Sequence, residues 1–166
     1  CTNCTAGYYS NDDNSSCTAC LKGQYGDQML QTSDASCKAC PVGTYSSAKG
    51  VSSVNDCNKC AAGKKNPHRG ATLSSNCTDC AVNTKSKDEG SSTCVSCDVG
   101  EQADEGSAKC QACGAGQFSN VVGKDCQDCV AGQYRGPRDS PDKCLSCEIG
   151  QNSINGSATC TLCIPG

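Results

Sequence analysis

Cys37-Lys38-Ala39-Cys40-Pro41-Val42-Gly43-Thr44-Tyr45 is the stretch that decides the fold. Two cysteines stand three positions apart, a glycine follows the second at a fixed offset, and an aromatic ring comes two residues later. The same pattern, C-x-x-C-x-x-G-x-[Y/F], recurs along the whole chain. Its cysteine pairs are Cys1/Cys4, Cys17/Cys20, Cys37/Cys40, Cys57/Cys60, Cys77/Cys80, Cys94/Cys97, Cys110/Cys113, Cys126/Cys129, Cys144/Cys147 and Cys160/Cys163. They account for all 20 cysteines and recur every 16 to 20 residues. A fixed internal period makes the chain a repeat array, in which each unit touches mainly its neighbours and no single central core is required.

The composition forbids an ordinary core. Leu, Ile, Val and Phe supply 18 of 166 residues, and there is no Trp. Without its cysteines the chain could not bury enough apolar surface to offset chain entropy. The cysteines change the balance, because 20 in 166 residues exceeds the density of a disulfide scaffold. Closing a loop of 15 residues contributes about 3 kcal/mol in the chain-entropy model. Covalent cross-links, not apolar burial, are therefore expected to hold the fold.

An even, dense cysteine set belongs to an oxidising compartment, so the chain is expected to be secreted or on the cell surface. Four N-x-S/T sequons, at Asn3, Asn14, Asn76 and Asn155, are the glycosylation candidates. About two would arise by chance in a chain this rich in Asn, Ser and Thr. A net charge of −3 gives no basic stripe for nucleic acid. No apolar run is long enough to span a membrane. The chain opens inside a pair at Cys1 and closes on Cys163-Ile164-Pro165-Gly166, the start of another unit. The expectation is a segment of a longer array, with residues 1–166 forming one tandem series of about nine repeats.

Glycine occupies the offset after the second cysteine at positions 7, 23, 43, 63, 100, 116, 132, 150 and 166, and Asn83 replaces it once. Asn is the residue next most tolerant of a left-handed backbone, so this position is predicted to have positive φ and to turn the chain sharply. Tyr9, Tyr25, Tyr45, Phe118 and Tyr134 fill the aromatic position and are read as local packing over a neighbouring disulfide. Units with sixteen residues between pairs cluster over 20–80, and mostly shorter ones occupy 80–163. Gly90-Ser91, Gly106-Ser107 and Gly156-Ser157 suit hairpin tips. The predicted fold is thus small disulfide-rich repeats: an extended, rod-like array of short irregular β-hairpins with negligible helix. The segments Asn66–Gly70 and Arg135–Pro141, punctuated by proline, are predicted to protrude.

Two disulfide schemes fit the spacing. Pairs can join two by two, as Cys1–Cys17 with Cys4–Cys20, or each second cysteine can bond the next unit's first, as Cys4–Cys17. The second scheme leaves Cys1 and Cys163 to partners outside the segment. Zinc binding by paired C-x-x-C motifs fits poorly with an acidic chain bearing sequons, and no pair has the strand–helix context of a redox site. His68 is the only histidine and sits in a polar loop. Asp12-Asp13 and Asp104-Glu105 lack the ligand pattern of a calcium loop. Lys64, Lys65, His68 and Arg69 form a small basic spot. No catalytic, cofactor or metal residues are assigned, and the chain is expected not to be an enzyme.

Cys40-Pro41-Val42-Gly43-Thr44-Tyr45-Ser46, and Cys80 to Cys97 with Asn83-Thr84 and Gly90-Ser91-Ser92-Thr93-Cys94, resemble the Eph-receptor-like cysteine-rich repeat. That repeat is itself similar to EGF-like and tumour-necrosis-factor-receptor-like modules. The resemblance covers the whole chain and implies an extracellular location, paired disulfides and rod-like ectodomains. It carries no universal ligand or active site. Lys65, Lys85, Gln102 and Asn152 depart from it at the aromatic position. Long arrays of this kind also resemble surface and filament proteins of protists and algae. The functional expectation is a glycosylated structural rod in an extracellular filament, surface coat or flagellar hair. Its partners would be copies of itself or other proteins of the assembly, meeting Val51, Val54, Val121 and Val122. The alternatives are a ligand-binding or spacer ectodomain of a receptor and an antigenic coat protein of a parasite.

Overall fold

The computed structural model describes residues 3–11 and 15–164. Cys1, Asp12, Asp13, the sequon asparagine Asn14 and Gly166 lie outside the described residues. Among the described residues nine disulfides run in strict succession: Cys4–Cys17, Cys20–Cys37, Cys40–Cys57, Cys60–Cys77, Cys80–Cys94, Cys97–Cys110, Cys113–Cys126, Cys129–Cys144 and Cys147–Cys160. Each joins the second cysteine of one pair to the first of the next, so the two-by-two scheme that the resemblance implies is not the one found. Cys163 is a free, exposed thiol.

Every disulfide closes one antiparallel hairpin. The nine are β1 (Tyr8–Ser10) with β2 (Cys17–Ala19), β3 (Gln24–Tyr25) with β4 (Lys38–Ala39), and β5 (Thr44–Tyr45) with β6 (Asn58–Lys59). Next come β7 (Lys64–Lys65) with β8 (Thr78–Asp79), β9 (Thr84–Lys85) with β10 (Val95–Ser96), and β11 (Glu101–Gln102) with β12 (Gln111–Ala112). The last are β13 (Gln117–Phe118) with β14 (Gln127–Asp128), β15 (Gln133–Tyr134) with β16 (Leu145–Ser146), and β17 (Gln151–Asn152) with β18 (Thr161–Leu162). Two-residue strands are far too short to stand alone in water. The long units use their extra residues in 3-10 turns, Asp34–Ser36, Val54–Asp56 and Ser74–Asn76, placed just before the closing cysteine. Ser33 and Ser53 cap the first two, each hydroxyl accepting from a backbone N–H at 3.2 Å.

The predicted left-handed turn is present throughout. φ is +75 to +86° at Gly7, Gly23, Gly43, Gly63, Gly100, Gly116, Gly132 and Gly150, and 61° at Asn83. This turn aims the residue's N–H away from its own hairpin and onto the next. The acceptor is always the backbone carbonyl of the sixth residue after the next hairpin's opening cysteine. The bonds are Gly7 to Gly26, Gly23 to Ser46, Gly43 to Asn66, Gly63 to Ser86, Asn83 to Ala103, Gly100 to Ser119, Gly116 to Arg135 and Gly132 to Ser153, at 2.7–3.1 Å. The chain groups into two compact units, Cys1–Cys80 with Ser86–Cys94 and Ala81–Lys85 with Val95–Gly166. Each of these bonds falls within one of them.

Hairpins also meet their second neighbours, which a strict nearest-neighbour reading does not anticipate. In the first unit a Cβ added to Gly7, Gly23 or Gly43 would overlap the carbonyl of Gly50, Gly70 or Gly90, two hairpins further on. In the second unit Gly100 abuts Pro141, and Gly116 abuts the Gly156 carbonyl. Asn83 makes the equivalent contact with its side chain, its Nδ2 donating to Asp125 Oδ1 at 2.7 Å.

Sulfur and polar groups dominate the buried residues. Cys4, Cys20, Cys40, Cys60, Cys80, Cys97, Cys113 and Cys129, the second members of their pairs, are all buried, together with Ser10, Ser46, Asn66, Ser86, Ala103, Ser119 and Arg135 at the carbonyl-acceptor position. The five aromatic side chains at the pattern position are half-buried. Both segments predicted to protrude begin at this buried position: Asn66 is 0% and Arg135 3% exposed. Only their tips, Pro67–Arg69 and Pro137–Arg138 with Ser140, reach the surface. The reason is that position six carries the junction carbonyl, so whatever side chain stands there is enclosed.

Candidate functional site

Position six is the residue class that the sequence pattern alone did not single out. Serine fills it five times (Ser10, Ser46, Ser86, Ser119 and Ser153), directly after the aromatic position, and that repetition was the available signal. A small side chain fits there because the backbone works on both sides. Ser46 N–H donates to Ala71 O, Asn66 N–H to Ser91 O, and Ser119 N–H to Pro141 O, while their carbonyls accept from the preceding hairpin. Ser46, Ser86 and Ser119 turn their hydroxyls onto loop carbonyls, at 3.3, 3.3 and 3.2 Å. Asn66 Nδ2 donates to Thr44 O at 2.9 Å, and its Oδ1 accepts from His68 N–H. Arg135 is the outlier. Its guanidinium donates to the carbonyls of Cys113 (3.0 Å) and Gly114 (3.4 Å), and its Nε has no partner among the described residues.

The candidate glycosylation sites fall on exposed positions where described: Asn3, Asn76 and Asn155. Asn76 Oδ1 accepts from Leu73 N–H at 3.0 Å, and Asn155 Oδ1 accepts from Ala131 N–H at 2.7 Å. In both, the oxygen is held by a backbone N–H, and that bond does not use the nitrogen, the atom that would carry a glycan.

The basic spot is smaller than the sequence suggested. Lys64 pairs with Asp79 across its hairpin at 2.6 Å, which leaves Lys65, His68 and Arg69. A second ion pair, from Lys38 on β4 to Asp27 just past β3 at 2.9 Å, has the expected electrostatics: the Lys38 hydrogen bond holds the Asp27 carboxyl below its usual range, and Asp27 raises Lys38 in turn. Among the described residues no group of three or more His, Cys, Asp or Glu side chains is placed to hold a metal ion, and no helix is long and apolar enough to cross a membrane.

Of the four valines expected to meet another chain, Val51 does not qualify. It is 8% exposed, and its carbonyl accepts from Gly26 N–H of the neighbouring hairpin. Val54, Val121 and Val122 are exposed. So are Ile149, Ile154, Leu162 and Ile164, the last two flanking the free thiol of Cys163.

No protein-family model matches this chain, and no curated protein matches it in sequence. The fold itself defines a class: a repeated array of small disulfide-bonded β-hairpin modules, a cysteine-rich repeat protein. Nine disulfides among the described residues of so short a chain place it outside the cell, where thiols oxidise and stay oxidised.

Proposed function

We propose that this chain is a non-enzymatic, glycosylated structural protein, a stiff cross-linked rod contributing to an extracellular filament, surface coat or flagellar hair. What supports the reading is the uniformity of the junctions. Each hairpin carries its own disulfide, and each is tied to the next by the same backbone hydrogen bond. Contacts to the second neighbour resist bending at a junction, because a hinge there would drive a left-handed glycine into a carbonyl. A run of hairpins without a hinge inside each compact unit transmits force and keeps distance, and the exposed valines at positions 54, 121 and 122 offer contacts to neighbouring molecules. The resemblance to Eph-receptor-like repeats favours the same extracellular setting. A ligand-binding or spacer ectodomain at the cell surface is the second reading, favoured by a polar cleft at the first hairpin.

Small-angle scattering on the whole chain tests the structural reading. A globule of this length has a radius of gyration of about 15 Å, whereas a rod of about 100 Å, the rough length of nine stacked hairpins, gives about 30 Å. A value near the smaller figure would overturn the reading. Labelling the protein in its native setting then separates a filament or coat from a receptor stalk.

A further inference from the structure

We propose that the cleft between the first hairpin and the loop of the second binds a neutral saccharide. The cleft encloses about 370 Å³ and is framed by β1, β2 and the start of the Asp34–Ser36 turn, a volume in the range of small-molecule sites. Its lining chemistry narrows the ligand class. Among the described residues that line it, Tyr9 contributes the one aromatic ring, Thr18 and Thr32 contribute hydroxyls, and Asp34 contributes a carboxylate. No described Lys, Arg or His lines it, which disfavours phosphate, sulfate or an acidic peptide. Apart from one ring the walls are polar, which disfavours a lipid or an apolar side chain. A half-buried ring beside hydroxyls and one carboxylate suits a pyranose, whose C–H face stacks on the ring while its hydroxyls exchange hydrogen bonds with the rim.

A separate observation points to the same place. Ser10 is 3% exposed and lines the cleft, yet its Oγ has no hydrogen-bond partner among the described residues. Its sister hydroxyls on Ser46, Ser86, Ser119 and Ser153 are all satisfied by backbone carbonyls. A buried hydroxyl left unpaired is destabilising, and a ligand hydroxyl entering the cleft supplies the missing partner. The other polar members hold the walls in place: Asn11 Oδ1 accepts from Ser16 N–H at 3.0 Å, and Ser33 Oγ accepts from Ala35 N–H at 3.2 Å. Clefts at the sixth, seventh and ninth hairpins lack an aromatic ring, and the sixth and seventh include Lys109 and Lys124.

Two neutral probes distinguish the sources of such a ligand: a β-linked glucose tetraose representing a matrix polysaccharide, and a mannotriose representing an N-linked glycan. Each is titrated to millimolar concentration into the isotopically labelled whole chain, followed by amide shifts and saturation transfer. The expected result is binding of at least one probe, with shifts confined to Tyr9–Asn11, Thr18 and Thr32–Asp34. Asp34→Ala, on the exposed rim, should weaken binding about tenfold without altering the remaining spectrum. Tyr9→Leu keeps an apolar side chain at the site, removes the ring face and should abolish saturation transfer. No shift with either probe, shifts centred elsewhere, or unchanged affinity in Asp34→Ala would overturn the proposal. None of these outcomes bears on the radius of gyration, so the structural reading stands or falls separately.

Discussion

Replacing Gly43 by alanine separates the two demands that the fold makes on one position. The residue has φ +77°, and an added Cβ would overlap the Gly90 carbonyl, with even the Gly90 Cα only 3.1 Å away. Gly132 has φ +80° but nothing within 4 Å of the same Cβ. Both residues donate to the next hairpin, Gly43 to Asn66 at 2.7 Å and Gly132 to Ser153 at 3.1 Å. Gly132→Ala therefore meets only the left-handed penalty, about 1–2 kcal/mol. Gly43→Ala meets that penalty and must also push the Gly90 loop away. The displacement breaks the Gly43 bond and the bond from Gly90 N–H to Cys60 O, each contributing about 1 kcal/mol. The total is about 3–4 kcal/mol, so the two variants differ by about 2 kcal/mol, or roughly 30-fold in the equilibrium for opening. Native-state hydrogen exchange of the amide at position 43, compared with that at position 132 in the other variant, reads this difference directly. Equal loss of protection in the two variants would refute the second-neighbour contact, and with it the argument for stiffness.

Arg135→Ser should change stability by no more than about 1 kcal/mol, because two carbonyl hydrogen bonds do little more than offset the desolvation of a buried guanidinium. Five sister hairpins already carry Ser there. Arg135→Glu should cost more than about 3 kcal/mol by facing a carboxylate with the Cys113 and Gly114 carbonyls. Denaturation followed by tyrosine circular dichroism checks both, and a tolerated glutamate would contradict the enclosed geometry. Among the described cysteines, alkylation of the native, unreduced protein should label Cys163 alone. Peptide mapping that found label at any of the eighteen bridged positions would contradict the disulfide succession.

Much of the fold was legible because its determinants are local. The C-x-x-C spacing marks each unit, and the choice of Gly or Asn at the turn, with Asn83 as the one exception to glycine, reports a backbone angle that other residues rarely adopt. Hairpins with strands of two to three residues follow from those two facts and the loop lengths. Position six was harder to read. A serine after an aromatic looks like surface filler, and its burial arises only when a neighbouring hairpin covers it. For the same reason Val51 and Arg135 itself looked exposed in sequence and are not: Val51 O is taken by Gly26, and Ser157 O accepts from Arg135 N–H. The candidate cleft was illegible too, since Tyr9 and Asp34 lie in different repeats.

The sequence by itself determined that this is a cysteine-stapled repeat array with a left-handed turn in every unit, because covalent capacity and φ preference are properties of single residues and their immediate spacing. Only the tertiary structure decided which sulfur joins which, and which loop closes over which hairpin. Two pairing schemes satisfy the same spacing in one dimension, where the lack of strict two-unit alternation leans toward the succession found and the family resemblance leans the other way. The choice between them depends on where each turn delivers its N–H in space, and that is set by atoms of the next repeat and the one beyond it.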